Sequence, residues 1–75
     1  MSFAVGSGAV ENNLRELRLA RKMALTQLAV QSGASTSTIV AIEKYYHLPG
    51  DDLRRRLAAV LEVDVEEIWP TITAN

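Results

Sequence analysis

A chain of 75 residues holds one domain and no more, and at that size folding buries only about 60% of the surface the unfolded chain exposes. It has no cysteine, which excludes disulfides and thiolate metal sites and fits a reducing, cytoplasmic setting; its apolar runs fall far short of the ~20 residues that span a bilayer. The net charge of −1 hides a division: Arg15, Arg18, Arg21, Lys22 and Lys44 outweigh Glu16 and Glu43 in the first part, while six carboxylates outweigh Arg54, Arg55 and Arg56 after Lys44.

In chain order, Met1 to Val10 (MSFAVGSGAV) is small, Gly/Ser-containing and aperiodic, and reads as a flexible arm. It has neither the basic start of a secretory signal nor a Lys or Arg to hold nucleic acid. The domain proper is expected over residues 11–70. Asn12 or Asn13 caps a first helix, because an Asn side chain accepts from the free N–H groups of a first turn. Leu14, Leu17 and Arg21 follow at helical spacing, with Arg15, Arg18 and Lys22 outside, and the helix is expected to run to Arg21 or Lys22. Met23 and Leu25 turn inward. Leu25 to Ser32 is a short second helix on Leu25, Leu28 and Ala29, and Gly33 is its left-handed stop.

Ser35 caps a third helix, with Thr36, Ser37 and Thr38 in its first turn, Ile39 and Ile42 as its buried stripe, and an end at Lys44 or Tyr45. Tyr46 to Gly50 is a loop punctuated by Pro49 and Gly50. A fourth helix starts at Asp51 or Asp52, where acid suits the positive end of the helix dipole, and buries Leu53, Leu57, Val60 and Leu61. Arg54 to Arg56 lie outside that stripe. Asp64 and Glu67 have capping-box spacing for a fifth helix that holds Val65, Ile68 and Trp69 and stops before Pro70. Residues 71–75 are a tail. The chain is thus expected to be all-α.

Two short helices joined by a Gly-Ala-Ser turn form a helix-turn-helix. Ala29 is small where the two helices cross, Gly33 reverses the chain, and the isoleucines lock the third helix on the core so that its other face protrudes. That face holds Thr36, Ser37, Val40, Ala41 and Lys44. Hydroxyls pair with several base edges, and the methyls of Thr, Val and Ala suit thymine. Phosphates are expected at Thr26, Gln27 and the start of the second helix, whose free N–H groups attract anions. Ser35, beside the turn, and Tyr45, Tyr46 and His47, after the third helix, complete the phosphate set.

The stretches LRELRLAR (Leu14 to Arg21), LAVQSGASTSTIVAIE (Leu28 to Glu43) and LAAVLEVDVEEIW (Leu57 to Trp69) together resemble the phage repressor/Cro-like regulators, also called the xenobiotic-response-element family. The resemblance implies a compact five-helix, lambda-repressor-like fold in which the third helix reads bases through positions matching Thr36, Ser37 and Ala41. It also implies a pair between Glu43 and an Arg of the first helix, for which Arg18 is available. The chain departs from the family at Ala24, where Ser or Thr often caps, and at Leu25, where Gln often contacts phosphate. Lys22, Tyr45 and Glu62 stand where Gly is common.

The function expected is sequence-specific binding of double-stranded DNA by a repressor-type transcriptional regulator acting as a homodimer. The alternative is a protein-interaction module of the same fold, working through the third helix or the C-terminal tail. Trp69 either finishes the core or anchors a dimer. One His, no Cys and no phosphate-cradling Gly loop leave nothing from which to build an enzyme, a metal site or a cofactor or small-molecule site.

Overall fold

The computed structural model describes residues 10–72, and the five elements in them are all helices: α1 (Leu14–Ala20), α2 (Leu25–Ser32), α3 (Thr36–Tyr45), α4 (Asp51–Leu61) and α5 (Val65–Ile68). Of the arm expected over residues 1–10, only Val10 is described, and it is half-buried with its N–H donating to the Tyr46 carbonyl at 2.8 Å; the rest of the arm and the tail beyond residue 72 lie outside the described residues. Among the latter, no helix is long and apolar enough to cross a membrane.

The periodic residues become one core. Leu14, Leu28, Ile39, Ile42, Leu57, Leu61, Ile68 and Trp69 are fully buried, joined by Met23, Ala29 and Ala58. α2 lies against both α3 and α4, and α4 also meets α5. Trp69 caps α5 from outside the helix, one residue earlier than expected for the helix end, and lies wholly within the core. It is therefore core and not a surface anchor.

α1 corrects the helical-wheel reading. It ends at Ala20, and Arg18, expected outside, is buried, whereas Arg21 is exposed and pairs with Glu62 at 2.9 Å. The cause is a partner outside the wheel: Arg18 Nε and Nη2 donate to Glu43 at 2.7 and 3.0 Å, and Nη1 donates to the Met23 carbonyl at 2.7 Å. Three arginine donors are thus satisfied where burial would otherwise penalise the charge. The hydrogen bond to the Glu43 carboxylate holds the Arg18 guanidinium above its ordinary pKa against the opposing effect of burial.

The helix ends follow local chemistry. Gly33 closes α2 at φ 76°. A Cβ there would meet only the Arg56 guanidinium, at 3.4 Å, so backbone conformation rather than space is what asks for glycine. The Asp64/Glu67 capping box forms, with Glu67 Oε2 accepting the Asp64 N–H at 3.1 Å. Ahead of α1, Asn12 takes the capping role: its Oδ1 accepts the Leu14 N–H at 2.9 Å, while Asn13, at the N-cap position, makes no side-chain cap. Left-handed backbone also occurs at Lys22, Tyr46 and Glu62. The resemblance marked Lys22 and Glu62; the third position falls at Tyr46 and not at Tyr45, because α3 runs on through Tyr45.

Candidate nucleic-acid interface

Ile39 and Ile42 are inaccessible to solvent, and they orient α3. Residues 36, 40 and 44 then form one row on the opposite side, with 37 and 41 beside it, since side chains four apart stack on one helix face. Thr36, Ser37 and Lys44 are exposed; Val40 and Ala41 are half-buried between them. The face is a shallow apolar floor with hydroxyls at its N-terminal end and one ammonium at the other. It carries no Arg, Asn or Gln for bidentate pairing with guanine or adenine.

Ser35 works chiefly inside the fold. Its Oγ accepts the Thr38 N–H at 3.1 Å and is shared with Ser37 Oγ at 3.2 Å and Thr38 Oγ1 at 2.9 Å. The hydroxyl expected on a phosphate is thus engaged in starting α3. The Ser37 hydroxyl is exposed and next to it, so the two are placed as a pair at the tip of the helix.

Thr26 and Gln27 are exposed in the first turn of α2. Ala24 precedes them at the N-cap, and no side-chain hydrogen bond caps that helix end among the described residues. At the last residue of α3 Tyr45 is 72% exposed, and just beyond it Tyr46 is 37% exposed and His47 is exposed as well. Pro49 is buried behind them, and its carbonyl accepts from Arg54 Nη1 at 3.0 Å, so this loop is fixed from α4.

The charge distribution narrows the choice of cations. Arg18 belongs to the core pair and Arg21 to Glu62. Arg54 and Arg55 face Asp51, and Arg56 faces Asp52, at 2.9 to 3.5 Å along α4. Among the described residues Arg15, Lys22 and Lys44 are left outside ion pairs, and only Lys44 is on α3.

The helix-turn-helix family pattern matches residues 14–68, from the first residue of α1 to the last of α5. The chain belongs to the helix-turn-helix family. This helix-turn-helix domain is 48% identical over 56 residues to the uncharacterized HTH-type transcriptional regulator RghRB of Bacillus subtilis (strain 168), covering 73% of this chain and 40% of that protein. The chain therefore spans less than half the length of that relative. Among solved structures it is similar to the restriction-modification controller protein C.AhdI from Aeromonas hydrophila, at 29% identity and a TM-score of 0.69 over 73% of this chain and 83% of the other. It is also similar to the N-terminal DNA binding domain of SinR from Bacillus subtilis, at 25% identity and a TM-score of 0.67 over 72% and 80% of the two chains. The all-α, lambda-repressor-like architecture is thus that of its relatives, and membership in a family of DNA-binding regulators sets the enzyme readings aside.

Sequence reasoning missed Asn12 as more than a cap. Its amide reaches the end of α3, donating to the Ile42 carbonyl at 3.0 Å. No periodicity reveals a bond between residues thirty apart.

Proposed function

We propose that this domain is the DNA-binding part of a sequence-specific transcriptional regulator of the repressor type, acting in the cytoplasm, and that α3 enters the major groove of double-stranded DNA. The observation that carries the reading is the division of α3 between fully buried isoleucines and an opposite face on which Thr36, Ser37 and Lys44 stand exposed around half-buried Val40 and Ala41. In this pose Thr36, Ser37, Val40, Ala41 and Lys44 meet base edges. Thr26, Gln27 and the open end of α2 meet one phosphate run, with Tyr45, Tyr46 and His47 meeting phosphate at the other end of α3, while Ser35 serves by holding the start of that helix. The names of the similar proteins support it: one is a controller protein, the other a DNA binding domain.

The reading face also argues for two copies. Single hydroxyl and methyl contacts discriminate less than the bidentate pairs that give ~1–3 kcal/mol each. A homodimer reading two half-sites about one helical turn, ~34–36 Å, apart doubles that discrimination. Selection from a random duplex pool tests the reading. The expected product is a two-fold symmetric site whose affinity falls with salt. Failure to bind any duplex at low salt would leave α3 as a protein-binding face.

A further inference from the structure

Besides the residues that face outward, α3 depends on how its own end is held. We propose that Asn12 is a positioning residue for DNA reading: its side-chain amide fixes the C-terminal half of α3, and with it Ala41 and Lys44, against the rest of the fold. The proposal rests on the reading of α3 as the recognition helix.

The argument starts from the backbone. Tyr46 adopts φ 57°, and the backbone donor at the Ala41 carbonyl is the His47 N–H, at 3.1 Å. A continuing helix would have given the Tyr46 N–H to Ile42. The Ile42 carbonyl is thereby left without its in-helix donor on a buried residue, where an unpaired acceptor is costly. Asn12 Nδ2 supplies the missing donor at 3.0 Å.

The same short segment is fastened on both sides. The Val10 N–H donates to the Tyr46 carbonyl at 2.8 Å. The Asn13 N–H donates to the Ile68 carbonyl at 2.9 Å, and Asn13 Nδ2 to the Glu67 carbonyl at 3.0 Å. Residues 10–13 are therefore a strap that gives four donors to carbonyls at the ends of α3 and α5. Asn12 is the one side chain in it that grips α3. Its Oδ1 is at the same time held by the Leu14 N–H, so the amide has little freedom to turn away. A side chain pinned at its acceptor and donating at its amide fixes a distance between α1 and α3, which is what a groove-reading helix needs at its far end.

Asn12→Ser isolates the claim. A serine hydroxyl still accepts from the Leu14 N–H, adds no charge and is too short to replace the amide donor. Val60→Ala, on α4 and away from the strap, serves as the control for general destabilisation. Each variant is assayed at a temperature where it is folded by circular dichroism. Two readouts are taken: amide exchange along α3, and affinity for the duplex selected by the wild type relative to mixed-sequence DNA.

Asn12→Ser is expected to speed exchange at Tyr46 and His47 relative to α2 amides, and to lower the selected-to-mixed ratio by roughly 5- to 10-fold, on the scale of one base contact. Val60→Ala should do neither. If Asn12→Ser does not fold, Asn12→Asp keeps the acceptor and lacks the same donor; exchange at Tyr46 and His47 then decides. A ratio or an exchange pattern no different from the Val60→Ala control overturns the proposal. A wild type that prefers no duplex sinks the recognition-helix reading and this proposal with it, whereas an intact wild-type preference that Asn12→Ser leaves unchanged sinks this proposal alone.

Discussion

Lys22, Tyr46 and Glu62 sit at φ of 57°, 57° and 60°, closing α1, α3 and α4 in turn. The left-handed conformation crowds Cβ against the following carbonyl and costs roughly 1–2 kcal/mol for an ordinary side chain. Glycine removes that strain but adds freedom to the unfolded chain. Lys22 is exposed and makes no ion pair among the described residues, so Lys22→Gly is expected to stabilise the domain by up to about 1 kcal/mol, or roughly 4–8 °C in Tm at this size. Glu62→Gly should gain less, because it also removes the exposed pair with Arg21, itself worth little. Gly33→Ala should move the other way, lowering Tm, since its φ of 76° is the same demand met by the right residue. Thermal unfolding of the three variants checks the set; a fall in Tm for Lys22→Gly would refute the strain argument.

Between elements, the decisive link is the Arg18–Glu43 pair, which ties α1 to the back of α3 with side chains only 8% and 4% exposed. Removing one member leaves the other charged and buried. Glu43→Ala is therefore expected to cost about 3–5 kcal/mol, a large share of the stability available to a domain of this length at ~0.05–0.15 kcal/mol per residue. Replacing both, as Arg18→Met with Glu43→Leu, should recover much of that loss, and urea denaturation of the single and double variants separates the two outcomes. Because the Arg18 pKa is raised in the folded state, its contribution is present at neutral pH and is lost as pH rises through that raised value. This pair also shows where legibility ends. The bounds of α2 and the start of α3 follow from Leu28, Ala29, Gly33 and Ser35, whose roles are local. The exposure of Thr36, Ser37 and Lys44 follows once Ile39 and Ile42 define the inner face. By contrast, the wheel of α1 placed Arg18 outside because its partner lies twenty-five residues on, and only the resemblance supplied that pairing. The half-burial of Val40 and Ala41, the grip of Asn12 on Ile42 and the shift of the left-handed residue to Tyr46 likewise depend on what lies alongside, not on spacing along one helix.

For the whole molecule, electrostatics has to be judged after the internal pairs are taken out. The basic excess of residues 12–44 includes Arg18 and Arg21, which are bound to Glu43 and Glu62. The arginine run on α4 is matched by Asp51 and Asp52 within one turn, a pattern that stabilises the helix by about 0.2–0.5 kcal/mol per pair and leaves little field beyond it. What remains at α3 is Lys44, at the C-terminal end of the helix, where a cation also suits the dipole. A ligand with a dense row of phosphates would thus find hydroxyls, backbone N–H groups and one ammonium here, not a basic belt. The salt dependence of DNA affinity should be correspondingly mild, since each neutralised phosphate adds only about 0.9 to the slope of log K against log salt. Lys44→Gln is expected to lower that slope by about 0.9 for each protomer bound and to weaken mixed and selected duplexes alike to the extent that Lys44 meets phosphate. If Lys44 instead meets a base edge, the selected duplex should lose more than the mixed one. Arg55→Gln, which removes a cation held at 2.9 Å by Asp51, should leave the slope unchanged. Titrations of both variants over a salt series decide between a positive surface set by Lys44 and one set by the α4 arginines; a larger effect from Arg55→Gln would move the DNA to the other side of the domain.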